Sequence, residues 1–134
     1  AMLIEQFKKA EFITKKRIEN AEYLNKELGK VKGIKTPIIK KGNKHVFNQY
    51  TIKIENDFKL NRDKLSEYLR KNGINTGLYY PKPLHLCTHL KKFGYKEGDF
   101  PVAEKLSKQV LSLPVHPNLN RKDLNFIIDV IKKI

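Results

Sequence analysis

Apolar residues at Leu3, Phe7, Ala10, Ile18, Ala21, Leu24 and Leu28 recur at helical spacing, with neither proline nor glycine between them. The pattern predicts one long helix from Leu3 to about Leu28. Gly29 is placed to end it at C′, with Lys26 and Lys30 beside the negative end of the dipole. At 1.5 Å per residue the rod is about 39 Å long, more than a domain of this size needs for its own core. Its apolar density thins from Glu11 to Arg17, while Leu3, Ile4, Phe7 and Phe12 gather in an N-terminal cluster suited to packing on another domain. A coiled coil is the competing reading, but the seam is shorter than the roughly three to four heptads it needs.

Past Gly29 the period shortens. Pro37 sits in the apolar run Lys35 to Lys41, which predicts an edge strand or an extended segment, and Gly42 and Asn43 mark a turn. Val46, Tyr50, Ile52 and Ile54 then alternate with Phe47, Gln49, Thr51 and Lys53, as a strand requires. Asn48 falls on the apolar face, where its amide would pin a neighbouring backbone or look into a site. Asn61 is the expected N-cap of the next helix, with Leu60 and Leu65 as a hydrophobic staple, Leu65, Tyr68 and Leu69 inward, and Gly73 at its end. Ile74, Thr76, Leu78 and Tyr80 alternate as a second strand, sending Tyr79 and Tyr80 to opposite faces.

The remaining elements are short. Cys87 to Phe93 reads as a helical turn closed by Gly94, and Asp99 as the N-cap of a helix with Pro101 in its first turn and Val102, Leu106 and Val110 inside. Leu111 to Val115 is an extended piece. The last helix opens at Asn120 with Asp123 at N3, a Leu119–Leu124 staple, and a stripe of Leu124, Ile127, Ile128 and Ile131.

Composition narrows the function classes. The 134 residues, 15.7 kDa, form one expected domain (1–134), and no apolar run approaches the roughly 20 residues of a membrane span. The N-terminus has neither a basic segment nor a cleavable apolar core, and Ala1 before Met2 reads as a scar of tag removal. The single Cys87 cannot form an internal disulfide and fits a cytoplasmic protein. A net charge of +14 raises nucleic acid as a partner. Yet only Arg17, Arg62, Arg70 and Arg121 are arginines among the 28 basic residues, and the lysines are scattered through every segment. Phosphate and base-edge recognition favours the guanidinium fork, so nucleic acid is not the expected partner.

Candidate chemistry concentrates in Gly77-Leu78-Tyr79-Tyr80-Pro81-Lys82-Pro83-Leu84-His85-Leu86. Its prolines hold Tyr80 and Lys82 out of helix, so the peptide loses little entropy on meeting a ligand and reads as a binding loop. His85, Cys87 and His89 lack the paired spacing of a zinc loop, and no orienting acid or oxyanion hole accompanies a Cys–His pair. No glycine pattern cradles phosphate. The expectation is a binding loop with no metal and no catalytic group in this chain.

Five pieces share a further likeness: Arg17-x-x-Asn20-Ala21-x-x-Leu24; His45-Val46-Phe47-x-x-Tyr50; Tyr79-Tyr80-Pro81-x-Pro83-Leu84-His85-Leu86; Gly94-Tyr95-x-x-Gly98-Asp99-Phe100-Pro101-x-Ala103-Glu104; and Leu111-Ser112-Leu113-Pro114-x-His116-Pro117-x-Leu119. In that order they resemble the C-terminal domain of the DegT/DnrJ/StrS sugar aminotransferases. The resemblance implies an α+β fold, a small antiparallel sheet of about three strands covered by helices, with the long first helix as interdomain connector. It implies an enzyme that uses pyridoxal phosphate to move an amino group, usually from glutamate, onto a nucleotide-linked keto-sugar, as a homodimer. The family's Schiff-base lysine, its acid partner for the pyridine nitrogen and its stacking aromatic belong to a large domain with no counterpart here. This chain alone is therefore expected to be inactive and to bind no pyridoxal phosphate. It would instead cover the sugar-nucleotide site, with His85 and Tyr80 nearest the substrate, Tyr79 and Lys82 next, and His45 and Asn48 as further candidates. Lys82 and Cys87 depart from the family's habits, the first where an apolar residue is common and the second where another polar residue is. The alternative is a stand-alone basic binding or regulatory module with the same fold.

Overall fold

The computed structural model describes residues 2–134, the side chains of Met2, Leu3 and Gln6 excepted. Ala1, and the Leu3 side chain of the N-terminal cluster, lie outside the described residues. The order is α1 (Met2–Lys8), α2 (Ala10–Leu28), β1 (Ile34–Lys35), β2 (Tyr50–Ile54), α3 (Arg62–Lys71), two 3₁₀ turns (Leu84–Leu86 and Thr88–Phe93), α4 (Pro101–Ser107), β3 (Val110–Leu113) and α5 (Arg121–Lys132). The sheet is antiparallel with β2 in the middle, in the order β1-β2-β3. The α+β expectation holds.

Register explains the core. Ile34 opposes Ile54, Leu111 opposes Ile52 and Leu113 opposes Tyr50, so one face of the sheet is wholly apolar. Ala21, Leu24 and Leu28 of α2, Leu65 and Leu69 of α3, and Leu124, Ile127, Ile128 and Ile131 of α5 join it in a single cluster. On the other face Thr51 and Ser112, also paired, share a 2.7 Å hydroxyl contact. The Tyr50 hydroxyl, buried beneath the helices, donates to Asn25 Oδ1 at 2.8 Å, and burial pushes the phenol pKa up. Asn20, buried in α2, donates to the His116 carbonyl at 3.0 Å and ties the helix to the approach to α5.

The predicted caps of α3 and α5 form. Asn61 accepts from Lys64 N–H, and Asn120 and Asp123 complete a capping box. Gly73 and Gly94 take left-handed backbone just past α3 and the second 3₁₀ turn.

Elsewhere tertiary structure overrode local pattern. The first helix is not one rod but two, broken at Lys9, and Ile4, Phe7 and Phe12 lie exposed. Gly29 stays in right-handed helical backbone; the left-handed turn comes at Gly33, where a Cβ would meet Phe58 N at 2.4 Å. β1 is shorter than the run around Pro37, which continues outside the ladder. β2 begins only at Tyr50, because Phe47 adopts φ 47° and turns its ring into the core while Val46 faces out. Val46 and Phe47 thus trade their predicted faces, while Tyr50, Ile52 and Ile54 lie inside as expected and Asn48 is exposed.

Ile74 to Tyr80 is not a strand. It touches the sheet through one bridge, Gly77 to Ser112, and the third strand is the Leu111-centred piece instead. Both tyrosines are consequently free of the core. Asp99 does not cap α4. It accepts from Lys96 N–H within the preceding turn, leaving Phe100 at the N-cap, while Val102 and Leu106 face outward.

Candidate functional site

A cleft of about 590 Å³ opens where α2, the bend before β2, the Gly73–Gly77 edge and the start of α5 converge. Each wall has a local cause. Arg17 projects from α2 and donates from Nη1 to the Phe47 carbonyl at 3.3 Å, the Asn48 carbonyl at 2.9 Å and Asn48 Oδ1 at 3.2 Å. Those bonds hold open the bend that Phe47 begins. Opposite, Gly77 exchanges both backbone hydrogen bonds with Ser112 at 2.9 Å, which fixes the edge from which Tyr79 returns over the cleft. Tyr79 lies against Gly77 so closely that a Cβ there would stand 2.4 Å from Tyr79 Cε2.

The electrostatics favour an anion. Arg17 makes no ion pair among the described residues, its three acceptors are neutral, and its Nε–H is buried and unpartnered. The cleft's carboxylate, Asp123, is already bound to Asn120 N–H in the capping box. A guanidinium whose bound acceptors are all neutral attracts a carboxylate, a phosphate or a dense set of hydroxyls.

Two of the sequence's candidates meet at this cleft, Tyr79 and Asn48. Tyr80 is 74% exposed beside it, its ring set edge-on to Tyr79 with centroids 6.1 Å apart. Lys82 is exposed on the proline loop and forms no ion pair among the described residues. His45 is turned to its own loop: Nδ1 accepts from Phe47 N–H at 3.0 Å and the two rings lie 4.2 Å apart. His85 is buried against Phe100, with Nε2 3.0 Å from Glu104 Oε1. Burial alone would raise the Glu104 carboxyl, but hydrogen bonds from Gly98 N–H, His85 and Phe100 N–H outweigh it and hold the pKa below its ordinary value.

Arg17, His116 and Glu104 were not among the candidates. The signal for Arg17 was its rarity among so many lysines; Glu104 lay within a recognised motif but 19 residues from its partner. A second recess, about 470 Å³ between Asn61–Arg62 and Lys105–Gln109, holds none of the predicted residues. Among the described residues no His, Cys, Asp and Glu cluster could hold a metal, and no helix is long and apolar enough to cross a membrane.

A long helix pair, a three-stranded antiparallel sheet and an anion-favouring cleft beside an aromatic loop describe the small domain of an aminotransferase-type fold. The sequence profile of the DegT/DnrJ/EryC1/StrS aminotransferase family matches residues 1–132, and the chain belongs to that family. An uncharacterized protein of Methanocaldococcus jannaschii, MJ1066, is 41% identical over 98% of this chain and 34% of its own length. The dTDP-3-amino-3,4,6-trideoxy-alpha-D-glucose transaminase of Streptomyces venezuelae is 34% identical over 84% of this chain and 28% of its own. A crystal structure of a DegT DnrJ EryC1 StrS aminotransferase from Brucella abortus superposes with a TM-score of 0.85 at 37% identity, covering 98% of this chain and 33% of that one. The chain spans about a third of the length of the relatives it matches.

Proposed function

We propose that these residues form the substrate-covering C-terminal domain of a pyridoxal-phosphate-dependent aminotransferase that acts on a nucleotide-linked keto-sugar, with glutamate as amino donor. The observation that carries this reading is the convergence of Arg17, Asn48 and Tyr79 on one cleft, beside the exposed Tyr80. A sugar nucleotide offers what these groups recognise: hydroxyls for Asn48 and Tyr79, an apolar ring face for the aromatics, and phosphate charge for Arg17. Membership in a family that includes a dTDP-sugar transaminase supports the substrate class.

The cleft does not fit the cofactor by itself. No lysine lines it to form an imine, and Asp123 is engaged in its capping box rather than free to pair with a pyridine nitrogen. Those groups come, in this reading, from a preceding large domain, against which Ile4, Phe7 and Phe12 pack, and the enzyme works as a homodimer. This chain's residues bind and orient the sugar and exclude water from it.

Titrating the chain with dTDP- and UDP-linked sugars while following amide and side-chain NMR signals tests the reading. Shifts centred on Tyr79, Asn48 and Arg17 are expected. Unperturbed signals at millimolar ligand, together with unchanged sugar-nucleotide KM for Tyr79→Ala in the full-length enzyme, would remove it.

A further inference from the structure

One carboxylate joins the proline loop to the segment that follows it. Glu104 Oε1 accepts from His85 Nε2 at 3.0 Å, Gly98 N–H at 2.9 Å and Phe100 N–H at 3.2 Å, and Oε2 accepts from Gly98 N–H at 3.1 Å. The contact with His85 spans 19 residues. Few other bonds close that span: the turns between Leu84 and Gly94 are 3₁₀ and bond only within themselves. The Phe100 ring lies 4.8 Å from the imidazole, with Tyr95 behind it at 5.4 Å, so rotation of His85 is blocked by packing as well.

The pairing constrains the proton on His85. An ionised carboxylate only accepts, so Nε2 must donate to Oε1. A neutral imidazole that donates from Nε2 carries a bare lone pair on Nδ1. We propose that Glu104 is a positioning residue, which fixes the Nε2–H tautomer of His85 and holds the Tyr79–His85 loop against α4. The loop so held carries Tyr79 and Tyr80 to the cleft. This rests on the reading of the loop as a cover for a sugar nucleotide, and it adds what holds that cover in place.

Two measurements separate the inference from the reading beneath it. Long-range ¹H–¹⁵N spectra of the chain near neutral pH report the tautomer of His85 without any ligand. The Nε2–H form is expected in the wild type, and a mixture of both tautomers in Glu104→Gln, whose amide can donate as well as accept; an Nδ1–H wild type overturns the proposal. In the full-length enzyme, Glu104→Gln is expected to raise the KM for the nucleotide sugar about tenfold, with the KM for glutamate unchanged. If Tyr79→Ala and Tyr80→Ala raise the sugar KM while Glu104→Gln does not, the cover stands and Glu104 has no positioning role. If none of the three changes it, the cover itself is refuted. Should Glu104→Gln lose its fold, Phe100→Leu, which keeps every backbone donor, is expected to leave the tautomer intact and loosen only the ring packing; a tautomer that changes in Phe100→Leu assigns the control to packing and overturns the role of Glu104.

Discussion

Gly77→Ala is the sharpest single perturbation of the cleft. The added Cβ would stand 2.4 Å from Tyr79 Cε2, 2.9 Å from Cζ and 3.0 Å from the hydroxyl, whereas ordinary carbon contacts settle near ~3.5–4.0 Å. The ring must therefore retreat by about 1 Å or more. All three nearest atoms belong to the far end of one side chain, so rotation of Tyr79 can absorb the clash without moving backbone. Gly77 is not among the left-handed glycines, so alanine gains about 0.4–1 kcal/mol from the stiffer unfolded chain. Pushing Tyr79 off its rotamer costs about 0.5–1.5 kcal/mol, and the two nearly cancel. Expected is a chain within about 1 kcal/mol of wild-type stability in urea, displaced Tyr79 ring signals, and nucleotide-sugar affinity down about tenfold, equivalent to about 1.4 kcal/mol. In a Tyr79→Ala background the same substitution should cost no further affinity. A loss of about 3 kcal/mol or more in stability, or equal affinity losses in both backgrounds, would refute the reasoning.

Other expectations follow from single contacts. Hydrogen bonds from Lys132 and Lys30 hold the Glu27 pKa down at about 2, so its clamp of α2 to α5 contributes fully above the ordinary carboxylate range and is lost as pH falls toward about 2. The urea midpoint of Glu27→Gln should thus lie below wild type at pH 7 and converge with it as pH drops through 4 toward 2; a gap that widens in acid contradicts the clamp. Asn120→Ala removes the acceptor for two backbone N–H groups and should cost about 1 kcal/mol, read from thermal unfolding. Leu24→Ala empties a fully buried position and should cost about 2–5 kcal/mol by the same measurement. Mixing the chain with pyridoxal phosphate should leave no lysine-linked chromophore after dialysis, tested by absorbance.

What could be read in advance was whatever depends on neighbours along the chain. Asn61, Asn120 and Asp123 cap as expected because each side chain needs to reach only two or three residues along the chain. The stripe of α5 is inside because its 3.6-residue period leaves one apolar face. Failures came where distant partners decide. Phe47 occupies the core because Arg17, 30 residues away, ties down its carbonyl and turns the chain. Asp99 turns back to Lys96 N–H instead of capping, while Glu104, from further along the chain, takes the Gly98 and Phe100 donors. At the cleft, Tyr79 was singled out from the proline loop and Asn48 as a polar residue in an apolar alternation, whereas Arg17 and Glu104 depend on contacts that no spacing encodes.

The bare aromatic at Phe7, 82% exposed, sits on a molecule whose formal charge is +14. At low ionic strength, mutual repulsion between copies keeps such greasy surfaces apart. Salt shortens the reach of that repulsion, to about 8 Å at physiological strength and 3 Å at 1 M, while leaving hydrophobic adhesion in place. The isolated chain should therefore cloud as salt is added, and Phe7→Ser should keep it clear.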